Sequence, residues 1–233
     1  MYTKINPFLS SRDLATHEIS PAGNCGFPRK IALARALLIA FVIVNTNQIS
    51  IEERIAVETI VTAFEDDPAA RWLYPGDVAY RAHFPEFVRL FGGRAFGTGT
   101  ADVIADGEAA ALWLPPGVQP EEEALVALLA TTVHPQRRPA VFALLEQMGV
   151  HHPQEPHWYL PLIGVAPQSQ GRGLGSELLR IALRRCDGDC LPAYLEATDP
   201  RNVRLYERHG FRIVGRIQAG DSPEIFPMWR PAN

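Results

Sequence analysis

The run VAPQSQGRGLGS, Val165 to Ser176, decides how this chain is read. The apolar stretch Trp158–Val165 before it reads as a buried strand. Residues 173–185 after it read as an amphipathic helix, with Leu174, Leu178, Ile181 and Ala182 on one face. A strand, a glycine-rich polar loop and a helix, in that order, build an anion site. Gly171, Gly173 and Gly175 let the backbone approach a ligand because no Cβ intrudes. The helix start adds unpaired N–H groups and the positive end of a dipole, and Arg172 adds a charge. The same glycines also suit a plain tight turn, so the loop alone names no ligand. A P-loop is excluded, because its glycine spacing and Gly-Lys-Ser/Thr ending are absent. A dinucleotide fingerprint fits Gly171 and Gly173 but meets Ser176 at its third glycine, while the acidic Glu196 lies about twenty residues on, as that motif requires. An oxidoreductase reading therefore stays open at this point.

Downstream, DPRNVRLYERHGF (Asp199–Phe211) is a second compact signal. Asp199 reads as a helix N-cap, Pro200 as the first helical residue and Gly210 as the stop. Asn202 and Tyr206 are four residues apart and share one face of that helix. Short strands are expected at 193–197, 211–217 and 224–230. Upstream, Ser50 and Glu53 form a capping box that opens a helix to about Phe64, a short helix lies within 66–75, and another covers 80–91 before Gly92 and Gly93. Strands over 101–105 and 109–114 flank Asp106-Gly107 as a hairpin. Helices follow from Pro120 to about Thr132 and over 138–148. Strands alternating with helices indicate an α/β (α+β) sheet protein.

Together the two runs resemble the GNAT family of acyl-CoA-dependent N-acetyltransferases. Val165, Pro167, Gln170, Gly173 and Gly175 match its pyrophosphate motif, and Asn202, Tyr206, Gly210 and Phe211 match its later Asn-x-x-x-Tyr-x-x-x-Gly-Phe motif. The segments 63–68, 110–116, 152–160 and 192–202 are similar to the branch represented by puromycin N-acetyltransferase, so the resemblance runs from about Ile43 to Pro231. It implies a mixed, mostly antiparallel central sheet flanked by helices and splayed between the fourth and fifth strands, 158–165 and 193–197, with 41–44 counted as the first. Acetyl-CoA, the implied acetyl donor, would lie in that splay. The backbone at Ile163 and Val165 would hold its pantetheine arm. Gln170, Gly171, Arg172, Gly173, Leu174, Gly175 and Ser176 would hold its pyrophosphate, and Asn202 would touch it further along. Tyr206 matches the family's general-acid tyrosine. Glu196 is the first candidate for the base that takes the amine's proton, ahead of His157 and Glu155, with water alone as a further alternative. The loop with Asp66, Asp67, Trp72 and Tyr74 would cover the acceptor, and Trp113 and Trp158 would line an apolar pocket. The branch implies a small primary amine as partner, of aminonucleoside or antibiotic type. An inactive acyl-CoA-binding module on the same fold is the rival reading.

Composition sets the limits. The chain has 233 residues, 47% of them hydrophobic and 21% charged, which excludes intrinsic disorder. A net charge of -4 argues against a nucleic-acid partner. Cys25, Cys186 and Cys190 are too few for a disulfide framework and point to a reducing, cytoplasmic setting. No metal is expected: His151, His152 and His157 lack carboxylate–histidine helical spacing and read as surface or loop residues. The apolar run 36–44 is too short to span a membrane and lacks the cleavage site of a secretory signal. It reads as a first strand from Phe41 to Val44. Residues 1–40 read as an extension, and 41–233 as a single domain with a helical insertion at about 119–149. Whether the chain works as a monomer or a homodimer is not readable.

Overall fold

Helix α1 (Ile51–Ala63) begins where Ser50 takes an extended backbone and its Oγ accepts the Glu53 N–H at 3.0 Å. The computed structural model describes residues 49–233, so the expected strand at 41–44 lies outside the described residues. Asp67 caps α2 (Pro68–Leu73), and its Oδ1 accepts the N–H groups of Ala69 and Ala70. Then come α3 (Asp77–Gly92), which carries Pro85 within it, and the short α4 (Arg94–Thr98). β1 (Ala101–Ile104) and β2 (Ala109–Leu114) form the hairpin, joined by a 3₁₀ turn over Ala105–Gly107. Two helices, α5 (Glu122–Thr132) and α6 (Arg138–His151), separate β2 from β3 (Trp158–Val165). The order closes with α7 (Leu174–Gly188), β4 (Ala193–Ala197), α8 (Pro200–Glu207), β5 (Arg212–Ile213) and β6 (Phe226–Arg230).

The sheet runs β1-β2-β3-β4-β6-β5, and β3/β4 is its one parallel pair among the described residues. This mixed, mostly antiparallel sheet flanked by helices is the expected fold class. It removes the dinucleotide reading, which needs a mostly parallel, doubly wound sheet. Strand alternation divides the core in two. Ala110, Leu112 and Leu114 pack with Ile60, Phe84 and Leu129 of α1, α3 and α5, whereas Ala109, Ala111 and Trp113 pack with Leu178, Leu179 and Leu183 of α7. Gly164 allows α1 to press on β3, since a Cβ there would lie 2.7 Å from Ala63 Cβ.

β3 is irregular at its centre. Leu112 pairs with Leu162, but Leu114 pairs with Tyr159, so Leu160 and Pro161 together oppose the single residue Trp113. Tyr159 and Leu162 consequently face the same core layer although three residues apart. The parallel ladder to β4 covers Trp158, Tyr159 and Leu160 and ends there. The bulge ends it, because the Leu162 N–H, next in line toward β4, is turned to β2 instead. Beyond this point β3 and β4 separate, at the place the resemblance implied.

Two expectations need correction. The strand foreseen over 211–217 shrinks to Arg212–Ile213 plus an isolated bridge between Ile217 and Ile225. The histidines are not all surface groups. His157 is buried, and its ring and that of His152 pack against Tyr194. No helix among the described residues is long and apolar enough to cross a membrane.

Candidate active site

A cavity of about 800 Å³ opens where β3 and β4 part. One wall is the loop after β3. Gly171 and Gly173 adopt φ of +75° and +86°, a region that penalises any side chain. The first bond of α7 runs from Glu177 N–H to the Gly173 carbonyl, and Gly173 offers no side-chain cap. The N–H groups of Leu174, Gly175 and Ser176 therefore lack intrahelical partners at the positive end of a fifteen-residue helix. Ser176 Oγ lies 2.6 Å from His209 Nε2, and the Gln170 side-chain amide donates to the Val165 carbonyl at 3.2 Å.

The floor is the free edge of β3. Ala166 N–H donates to Glu108 on the β2 side. N–H directions alternate along a strand, so the amides of Ile163 and Val165 point the other way, into the splay. These two amides, the glycine loop and the helix start fit the pantetheine arm and pyrophosphate of acetyl-CoA. Asn202 and Arg204 of α8, and Arg208 just after it, also line the cavity.

Glu196 and Tyr206 both line this cavity, from different elements. Glu196 is half-buried on β4, on the same face as Tyr194. Burial raises its carboxyl to about 7, against the opposing effect of its hydrogen bonds. One of these is a 2.8 Å bond donated by Tyr159 Oη to Glu196 Oε2. Tyr206 is buried in α8, and its hydroxyl has no hydrogen-bond partner among the described residues. Burial, and then the carboxylates of Asp67 and Asp199, push this phenol well above the usual tyrosine range. A carboxylate that titrates near neutrality can accept a proton, and a phenol that stays protonated can donate a hydrogen bond.

The opposite wall is apolar. Trp72, Leu73, Phe87 and Phe91 come from α2 and α3, and Leu144, Leu145 and Met148 come from α6. Asp67 lines the cavity as well as capping α2. The sequence reading missed the α6 residues, because their helix was taken only as an insertion. It also missed Arg204 and Arg208, although their i, i+4 spacing with Arg204 two residues after Asn202 was a usable signal.

Three expected site residues lie elsewhere. Trp113 is fully buried against α7, and Trp158 packs in the same layer with its indole N–H on Asp189 at 3.0 Å, so neither lines the cavity. Their place in β2 and β3 turns them to the helix-covered face. Arg172 pairs with Glu108 at 2.9 Å and is not a lining residue. His157 and Glu155 line a separate cavity with Tyr159, and Glu196 is not among its lining residues.

Comparison with known proteins agrees with the fold. Mycothiol acetyltransferase of Streptomyces coelicolor is 37% identical over 84 residues, covering 31% of this chain and 27% of its own length. The same enzyme of Acidothermus cellulolyticus is 41% identical over 67 residues, covering 28% and 20%. The chain thus spans 20% to 27% of the length of these relatives. The solved histone acetyltransferase HPA2 and related acetyltransferase from Corynebacterium glutamicum is 27% identical with a TM-score of 0.54, covering 80% of this chain and 94% of that one. Polyamine N-acetyltransferase of Drosophila melanogaster shares the fold with a TM-score of 0.51 at 16% identity, covering 76% and 93%. The model of the acetyltransferase (GNAT) family matches residues 59–211, well over half of the sequence and the whole of the site from Asp67 to Tyr206. The chain belongs to the acetyltransferase (GNAT) family.

Proposed function

We propose that this protein is an N-acetyltransferase that moves the acetyl group of acetyl-CoA to the primary amine of a small molecule. The observation that carries this reading is that Glu196 and Tyr206 line one cavity together with the glycine loop at the splayed β3/β4 edge. Acetyl-CoA supplies an acyl group already activated as a thioester. The Ile163 and Val165 amides and the N–H groups from Leu174 to Ser176 orient the donor, and Arg204 and Arg208 add positive charge along it. Glu196 takes the proton that an ammonium acceptor must lose before it attacks. Attack leaves the nitrogen with one proton too many, which is lost to solvent as the tetrahedral intermediate collapses, while Tyr206 as general acid protonates the departing sulfur, releases CoA as the thiol and regains its proton from solvent.

The acceptor end is built from Trp72, Phe87, Phe91, Leu145 and Met148, with Asp67 at its margin. Such a wall favours an amine carried on an apolar or aromatic body. This fits the resemblance to the puromycin-acetylating branch and an aminonucleoside-like or antibiotic-like acceptor. Free Cys186 and Cys190 fit a cytoplasmic, reducing setting. The working domain in this reading is 41–233, preceded by an extension and carrying the 119–149 insertion, whose α6 supplies part of the acceptor wall.

The test is release of free thiol from acetyl-CoA across a panel of amines. Amine-dependent release is expected. Thermal stabilisation by acetyl-CoA with no release for any amine would instead favour an inactive acyl-CoA-binding module.

A further inference from the structure

The carboxylate of Glu196 does not stand alone. Tyr159 and Tyr194 are paired across β3 and β4, and Glu196 lies two residues beyond Tyr194 on the same face. It is therefore the diagonal neighbour of Tyr159, within reach of a long aromatic side chain. The Tyr159 hydroxyl donates to Glu196 Oε2 at 2.8 Å. The Tyr194 hydroxyl is buried beside the same carboxylate without a well-formed hydrogen bond.

The Tyr159 ring is braced from behind. The His152 ring stands edge-on to it at 4.9 Å and 87°, and Phe91 does so at 6.2 Å and 87°. His152 is held in turn by His157, with their Nε2 atoms 3.2 Å apart, and His157 Nδ1 sits 2.7 Å from the Glu155 carbonyl. That carbonyl can only accept, so Nδ1 of His157 carries a proton and its Nε2 receives one from His152. Burial lowers both imidazoles, His152 to about 4, which keeps the pair uncharged near neutrality.

We propose that Tyr159 is a positioning residue for acetyl transfer, its hydroxyl keeping Glu196 ionised and aimed into the cleft while the His152–His157 pair locks its ring. This rests on the reading of Glu196 as the base. The groups that face the Glu196 carboxylate are Tyr159 from β3 and Tyr194 from β4, and the two histidines lie behind the tyrosines from the end of α6 and the loop that follows. A buried carboxylate that loses a donated hydrogen bond holds its proton more tightly.

The test is the pH profile of kcat/KM for Tyr159→Phe. A hydrogen bond to a charged group typically accounts for about one to two pH units. The acid limb is expected to move up by about that amount, with the acetyl-CoA KM unchanged. A loss of equal size at every pH, or an unmoved limb, overturns the proposal. Full-length protein carrying 3-fluorotyrosine in place of tyrosine provides a second measurement if Tyr159→Phe does not fold. The stronger phenol donor at Tyr159 should move the limb down, and Tyr194→Phe in the fluorinated background removes the contribution of the other tyrosine that faces Glu196. No downward movement there counts against the proposal. Glu196→Gln separates the two readings. If it leaves the acid limb in place, the base assignment itself fails. If it removes the limb while the Tyr159 change does not move it, only the present inference fails.

Discussion

Thr198 Oγ1 donates a 2.6 Å hydrogen bond to Asp67 Oδ2, joining the end of β4 to the cap of α2. Burial pushes the Asp67 carboxyl up, and the bonds from Thr198, Ala70 and Ala69 oppose that rise. One side chain thus fixes both the start of the proposed acceptor wall and the end of the strand that carries Glu196. Asp67→Ala removes the cap and the tie together. The cap alone is worth about 1 kcal/mol. The urea midpoint should fall, and the KM for the amine should rise while that for acetyl-CoA holds. An unaltered amine KM would detach Asp67 from the acceptor side.

Glu196→Gln should act on rate and stability in opposite directions. The carboxyl sits at about 7 in the folded chain against an ordinary 4.5. A base with this value loses function as the pH falls through 7, and the variant should lose that acid limb along with most of its turnover. For stability, a folded value above the unfolded one means that the contribution is complete below 4.5 and is lost as pH rises to 7. Gln is uncharged throughout. The variant should therefore exceed the wild type by roughly 1 to 3 kcal/mol at pH 8, discounted for the half-buried position, and match it near pH 4.5. Parallel melts at the two pH values check this.

Tyr206→Phe keeps the ring that packs edge-on against Phe211 at 6.2 Å and removes only the hydroxyl. Turnover should fall by about 10²-fold, the lower range for a positioned proton donor. The dissociation constant for acetyl-CoA, measured by calorimetry, should stay within about twofold, since the hydroxyl acts on the leaving sulfur only as charge develops. Equal losses in binding and turnover would point to a packing role instead.

Gly173→Val places a β-branched residue at φ +86°. A Cβ at this position meets nothing within 4 Å, so the cost is conformational and not a clash. Such backbone strain costs on the order of 1 to 3 kcal/mol. The loop should relax and turn its N–H groups away, raising the acetyl-CoA dissociation constant by about tenfold or more. Retained affinity would place the pyrophosphate elsewhere.

Local patterns were readable from sequence wherever one segment carries its own signal. Ser50 and Asp199 cap the helices they were expected to cap, and the run from Trp158 to Ser176 folds as strand, loop and helix. Gly171, Gly173 to Ser176 and Tyr206 lie on those segments and line the cavity, whereas Arg172 turns to Glu108. Readings that depend on a partner went astray. Alternation shows that Trp113 and Trp158 share a face with their i±2 neighbours, but not whether that face meets the cleft or α7. The extra residue at Leu160–Pro161 cannot be seen without β2 beside it, and it shifts every later side chain of β3 by one place. The contribution of α6 was equally hidden, since Leu144, Leu145 and Met148 look like any amphipathic stripe until the helix lies over the sheet.

The bulge in β3 has a wider consequence. Because it turns main-chain donors away from β4, the proposed donor groove is opened by backbone geometry and not by the side chains along its floor. The acceptor wall is written in a different part of the polypeptide, largely between residues 62 and 148. Mutation can therefore rewrite what the wall admits without disturbing the groove that receives the acyl carrier. A scaffold divided in this way can acquire a new amine while its donor stays the same.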